Sequence, residues 1–337
     1  MKSIRYIKKI EIKNLWNKYD IEWHLNEDVN VLAGINGIGK TTILDLIVGT
    51  LYGRLKGRTT DMVDSVKMTF NNDQFITYRR IKDTLESLVK KAKKDKSLNE
   101  FITELKQPEG RDFSKIQVIE GAMFSFENVQ MTKEELHEIL GVALISTFDQ
   151  QLKEYEAVRQ LTNEAVSTEL DLQLYLLQKQ YLEYQINIGK KAIEALSSKS
   201  IVNAPQIDID FKKNLFLDTI DALFEPTNKK IDRNKNELIF KAGKQVLTPN
   251  MLSSGEKQLV IILLTALIQE DRNCVLFMDE PEISLHTDWQ EKLIENIRCL
   301  NNNAQIIIAT HSPSMVLDGW MDKVFEVPEI ITKPNKR

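Results

Sequence analysis

The stretch VNVLAGINGIGKTTILDLI, from Val29 to Ile47, constrains this chain more than any other part of it. Val29-Asn30-Val31-Leu32 reads as a buried strand. From Thr42 to Leu51 the residues Ile43, Leu44, Ile47 and Leu51 share one face of a helix. Between them, Gly34-Ile35-Asn36-Gly37-Ile38-Gly39-Lys40-Thr41 fits the pattern G-x-x-x-x-G-K-[ST]. Glycines so closely spaced suit a phosphate. Several backbone N–H groups must converge on its oxygens, and side chains there would block the approach. The start of the next helix adds positive partial charge. Asn36, Gly37, Ile38, Gly39 and Thr42 are therefore expected around a nucleotide. Lys40 is expected on its β- and γ-phosphates, with Thr41 on Mg²⁺.

Two more strands end in reactive side chains. Cys274 to Met278 is apolar and runs into Asp279-Glu280. Asp279 can hold the water shell of Mg²⁺ and Glu280 can polarise an attacking water, although a buried strand can also simply end in a solvated acidic turn. Ile306 to Thr310 runs into His311-Ser312. A histidine there can touch a phosphate or serve as a surface or cap residue. Leu252-Ser253-Ser254-Gly255-Glu256-Lys257-Gln258 precedes the apolar run Leu259 to Ile268. Serines and glycine at a helix start make either an anion site or a plain cap on a core helix.

Taken together, these motifs resemble the ABC-class ATPase head. GINGIGKTT matches Walker A, LSSGEKQ the signature motif and VLFMDEPE Walker B. Ser284-Leu285-His286 stands at the D-loop position and His311 at the switch histidine. The order and spacing fit from about Ile4 to Pro313. The resemblance implies an α/β P-loop NTPase fold, a mixed sheet plus helices, binding ATP and Mg²⁺. It implies a homodimer in which two heads sandwich two ATP molecules. By that carry-over Ser253 and Gly255 contact the γ-phosphate bound to the partner, Glu280 is the catalytic base and His311 senses the γ-phosphate. The second glycine of the transporter signature is Ser254 here.

Lys40 and Ser253 are 213 positions apart, much farther than in transporter ATPases. A large insertion is expected, as in SMC, RecF and Rad50-like heads. Its first part is read as strands Ser65 to Phe70 and Phe75 to Arg80, a charged helix from Asp83 to Lys106, a strand-like run Ile116 to Phe126 and a helix Lys133 to Leu140. Strand-like Val142 to Ser146 then leads to Phe148-Asp149-Gln150-Gln151, which resembles the Q-loop. Gln150, with Gln151 as rival, is expected in the Mg²⁺ shell. Leu152 to Ser198 reads as one long helix or two stacked ones. At 1.5 Å per residue a continuous helix of about 45 residues reaches roughly 65–70 Å. Ser197 to Asp210 is read as its tip, Phe211 to Phe224 as the returning helix and Ile231 to Leu247 as a hairpin. The expected division is an N-terminal lobe 1–150, a helical insertion or short coiled-coil arm 151–224 and a C-terminal lobe 225–337.

The short arm and Asp-Glu-Pro-Glu-Ile-Ser-Leu-His are most similar to OLD-like and RecF-like ATPases of bacterial anti-phage defence modules, of the Septu- or retron-associated type. Only 26 residues follow His311, without acidic clusters, and His24, His137, His286 and His311 make no metal pattern. No nuclease centre is expected in this chain, so a nuclease or toxin would be a separate effector protein. The expected role is an ATP-driven switch in a defence or DNA-repair complex. The alternatives are a transporter nucleotide-binding subunit and a scaffold with little hydrolysis. A net charge of −4 argues against a chain coated in nucleic acid. The lysine cluster Lys90 to Lys96, with Arg54, Lys56 and Arg58, still allows DNA or RNA contact. Trp16, Tyr19 and Trp23 are expected in core or strand-edge packing rather than at the adenine. Two cysteines without CxxC spacing and no apolar run long enough to span a bilayer fit a cytoplasmic protein with no membrane partner.

Overall fold

The computed structural model describes residues 3–53, 55, 62–80, 116–119, 122–125, 133–145, 166–197 and 210–334. The first strands are β1 (Ile7–Leu15), β2 (Tyr19–His24), β3 (Val29–Ala33), β4 (Ser65–Phe70) and β5 (Phe75–Arg80). They are followed by β6 (Ile116–Ile119), β7 (Ala122–Ser125), β8 (Gly141–Ile145), β9 (Lys229–Ile231) and β10 (Phe240–Ala242). The last are β11 (Gln245–Leu247), β12 (Cys274–Asp279), β13 (Ala304–Thr310), β14 (Val324–Glu326) and β15 (Ile331–Pro334). The helices are α1 (Lys40–Tyr52), α2 (Lys133–Ile139), α3 (Glu169–Ser197), α4 (Phe211–Leu223), α5 (Ser254–Ile268) and α6 (Thr287–Leu300). Contacts group the chain into two units: residues 1–27, 37–140 and 325–337, and residues 28–36 and 141–324.

The first unit is built on an antiparallel sheet of order β15-β2-β1-β4-β5-β7-β6. Its centre alternates as one buried face requires. Ile10 and Ile12 of β1 stand opposite Trp23 and Ile21 of β2 and opposite Met68 and Val66 of β4, and all six are buried. Irregularities in the β1 pairings fall between Ile12 and Leu15 and between Ile7 and Lys9. α1 packs on β4 and β5. It ends where Gly53 takes a left-handed conformation and its N–H returns to the carbonyls of Gly49 and Thr50. The run read as one strand from Ile116 to Phe126 is two, β6 and β7, paired antiparallel.

The second unit holds four parallel strands in the order β3-β13-β12-β8. β13 and all of β12 but its last residue are buried on both faces, as a covered parallel sheet demands. α5, buried from Gly255 to Leu267, packs with α3, α4 and α6. α3, the described helix within the span read from sequence as one long helix or two stacked ones, has 29 residues, about 43 Å at the helical rise. Residues 152–165 of that span lie outside the described residues. Tyr181 of α3 rests on Phe216 of α4 with ring centres 6.2 Å apart. Burial, with Asp210 nearby, pushes its hydroxyl up to about 12. The segment expected as a hairpin is a three-stranded sheet, β9-β10-β11. Its extra strand forms because Asn228, in a left-handed conformation, turns the chain straight into Lys229–Ile231. Among the described residues, no helix is long and apolar enough to cross a membrane.

Candidate functional site

β3 ends at Ala33, and Gly34 follows with φ 150°. Ile35 and Asn36 are exposed. Gly37, at φ 81°, has open space where a Cβ would sit. Ile38 is half-buried and Gly39 caps α1 at φ 106°. Lys40 opens α1 and is 4% exposed; Thr41 is exposed and Thr42 half-buried. α1 thus starts two residues earlier than the sequence reading placed it. Its first turn has no acidic residue, and no side chain caps it. The N–H groups of that turn suit an anion. The chain itself also requires glycine at position 39. A Cβ there would meet Cη2 of Trp16 at 2.0 Å. Trp16 therefore lies against the phosphate loop, its ring edge-on to Tyr19 at 6.4 Å. Trp23 does pack in the core, fully buried against Phe325. Sequence patterning missed the place of Trp16, whose signal is a backbone one: φ 53° just after β1 ends.

In the parallel sheet, Ala33 of β3 stands opposite Thr310 of β13, and Ala309 opposite Asp279 of β12. Gly34, His311 and Glu280 therefore follow neighbouring strand ends, the edge where open α/β sheets place ligands. Glu280 has φ 46°, a left-handed conformation that costs a non-glycine residue about 1–2 kcal/mol. Its N–H donates to the Ala309 carbonyl at 2.7 Å, which holds the turn. Nδ1 of His311 is 3.5 Å from Oε1 of Glu280 and 3.3 Å from Oε1 of Glu282. Glu282, which the motif reading did not single out, is buried and accepts from the Thr310 hydroxyl at 2.5 Å and the His311 N–H at 3.1 Å.

The signature segment forms a capping box. The Ser253 hydroxyl accepts from the Glu256 N–H at 3.4 Å and donates to the Glu256 carboxylate at 3.0 Å, and the Ser253 N–H donates to that carboxylate at 2.9 Å. Ser253 and Ser254 are exposed, while Gly255 is buried against the Ser284 carbonyl. Two ion pairs anchor the helix start. Lys229 meets Glu256 at 2.7 Å, and Lys257 meets Asp171, at the base of α3, at 2.7 Å. Burial raises both carboxyls, but the outcome is a pKa below the ordinary range. Lys257 and the Ser167 N–H and hydroxyl outweigh burial for Asp171, as Lys229 and the Ser253 N–H and hydroxyl do for Glu256. The loop after Glu280 is tied down as well. Gln258 donates to the Pro281 carbonyl at 2.6 Å, and Gln290 to the Leu285 carbonyl at 2.9 Å. His286 caps α6.

The sequence model of the AAA ATPase domain family (AAA_15) matches residues 6–316. The chain belongs to the AAA ATPase domain family. This AAA ATPase domain is 23% identical to the Septu protein PtuA of Bacillus thuringiensis over 332 residues, covering 92% of this chain and 72% of that one. It is 23% identical to the DNA replication and repair protein RecF of Clostridium botulinum over 309 residues, covering 87% and 74%. Its fold is that of the Smc head. It matches the Smc head bound to the C-winged helix domain of ScpA at a TM-score of 0.53 and 17% identity, over 95% of this chain and 93% of that one. The likeness to PtuA and RecF, and the fold shared with the Smc head, agree with the RecF/SMC-like resemblance read from the motifs.

Of the site residues named from sequence in this ATPase domain, Asp279, Glu280 and His311 gather at the sheet edge, with Asn36 just beyond the end of β3. Ser253 and Gly255 start α5. Gln150 and Gln151, the helix from Asp83 to Lys106, the lysine cluster and Arg54, Lys56 and Arg58 lie outside the described residues.

Proposed function

We propose that this ATPase is Mg²⁺-dependent and acts as a nucleotide-driven dimeric switch in a bacterial anti-phage defence or DNA-repair complex, regulating a separate effector such as a nuclease or toxin. The observation that carries the reading is the register of the parallel sheet, which sets Asp279, Glu280 and His311 beside the strand that leads into the glycine loop. The names of the relatives support the defence or repair setting. In this reading the proteins work in the cytoplasm, the lobes 1–150 and 225–337 form the head, and segment 151–224 is the arm.

Each residue has a task. Backbone N–H groups from Gly37 to Thr42 and the Lys40 ammonium hold the phosphates. The donors fit a hard cation: the hydroxyl of Thr41, the carboxylate of Asp279 and the amide oxygen of Gln150 would hold Mg²⁺, which supplies neutralising charge at the β- and γ-phosphates. The open space at Gly37 and the first turn of α1, free of acidic residues, leave room and favourable charge for the phosphates. Glu280, turned by its left-handed backbone, takes the proton from water. His311 binds the γ-phosphate. Ser253 and Gly255 complete the partner's nucleotide site.

The test is ATP turnover by the full chain with Mg²⁺. Lys40→Ala should lose tight ATP binding. Glu280→Gln should bind ATP, hydrolyse it at least about 100-fold more slowly, and elute as a dimer with ATP. Wild-type turnover by Glu280→Gln would place the base elsewhere.

A further inference from the structure

We propose that Glu282 is a positioning residue that holds His311 for its phosphate contact. This rests on the reading of the chain as an ATPase whose His311 senses the γ-phosphate. Glu282 is 6% exposed, and an ionised carboxylate is costly to bury without partners. All its donors converge on one oxygen. Oε1 accepts from the Thr310 hydroxyl and the His311 N–H, and stands 3.3 Å from Nδ1 of the His311 ring. Oε2 is buried with no hydrogen-bond partner among the described residues. A carboxylate that served only to tie the loop would gain most by satisfying both oxygens. This one is spent on the segment that carries the imidazole.

The chemistry follows from the ring. Carboxylate and phosphate oxygens both accept and do not donate. Nδ1 must therefore carry a proton to face Glu282, and Nε2 a second one to donate to a phosphate oxygen, a doubly protonated ring whose charge the carboxylate balances. Glu280 stands on the same side, its Oε1 at 3.5 Å from Nδ1, so the candidate base and the sensor share one edge of the ring. The backbone holds Glu282 in place. Gln258 binds the Pro281 carbonyl, the Leu285 N–H donates to the Glu282 carbonyl at 3.0 Å, and Gln290 donates to the same carbonyl at 3.3 Å. Gln290 also accepts from the Ser312 hydroxyl at 2.9 Å, which ties the far side of His311 to the same loop.

Glu282→Gln separates a structural role from a positioning one. The amide oxygen can still accept from Thr310 and the His311 N–H, but the negative charge facing Nδ1 is gone. The chain has four histidines. With ¹⁵N-labelled histidine, the ring signals missing from His311→Asn identify His311. Glu282→Gln should shift those signals without nucleotide. It should also lower kcat about tenfold with KM for MgATP changed less than about threefold. The double variant Glu282→Gln/His311→Asn should be no slower than His311→Asn alone. Unshifted His311 signals, or losses that multiply in the double variant, overturn the proposal. If His311→Asn turns over like wild type while Glu282→Gln still shifts the signals, the sensor role of His311 is what fails, and the contact stands. Should Glu282→Gln not fold, Thr310→Val removes a donor from the same oxygen and is read by the same signals.

Discussion

Replacing Gly255 with alanine puts a methyl group where the structure has no room. An added Cβ would lie 2.2 Å from the Ser284 carbonyl oxygen, 3.3 Å from its carbon and 3.9 Å from Trp289 Cζ3. Carbon and oxygen at ordinary contact need about 3.5 Å, so the carbonyl must retreat by roughly 1.3 Å. The obstacle is backbone, in a loop held by Gln258 at Pro281 and by Gln290 at Leu285. Overpacking of this kind costs about 1–3 kcal/mol. The helix preference of alanine over glycine returns at most about 1 kcal/mol, and less in a first turn. We expect Gly255→Ala to lose about 1–2 kcal/mol in urea unfolding and to slow ATP turnover, because the displaced loop carries Glu282. An unchanged urea midpoint together with unchanged turnover would refute the argument. The same crowding means that any side chain at position 255 acts first inside its own chain. A charge placed there does not isolate an effect on a partner's nucleotide.

Asp171→Asn strands the Lys257 ammonium, whose side chain is 10% exposed. It should cost about 3 kcal/mol at neutral pH. The Asp171 carboxyl lies below its ordinary 3.8 in the folded chain, so the contribution is whole above that value and is lost as pH falls through the lower folded one. The gap to wild type in urea unfolding should therefore narrow under acid, and a gap of equal size at pH about 7 and about 3 counts against the pair. The cysteines should also separate. Burial holds the Cys274 thiol at about 12, while Cys299 is exposed. At pH about 8 a thiol reagent should label Cys299 quickly and Cys274 only after unfolding; two fast thiols in the native chain would contradict the placement of Cys274.

Local chemistry was legible and partners distant in sequence were not. The glycine loop, the apolar strands β12 and β13 and the capped helix α5 each announce themselves within about ten residues, through periodicity and turn chemistry. Glu282 did not, because its partners Thr310 and His311 lie 28 and 29 residues away and meet it only once β12 and β13 pair. Lys257 finds Asp171 across 86 residues, which no spacing rule encodes. Trp16 reads as one more strand-edge aromatic until the turn after β1 brings its ring onto Gly39. The third strand of the small sheet escaped because three residues are too few for alternation to register.

The pairing of β3 with β13 also has a consequence for synthesis. Val31 finds Ile308 as its partner, so a strand made near the start of the chain waits for one made near its end. At about 5–20 residues per second the wait is on the order of 15–55 s. In the other sheet, Ile21 of β2 waits in the same way for Ile331 of β15. Through that interval Val29, Val31 and Leu32, buried in the finished fold, have no sheet to enter. Contacts this distant in sequence make folding slow. The nascent chain should depend on a holding chaperone at the ribosome, and a ribosome stalled before Ala304 should carry a chain whose phosphate loop has not yet formed.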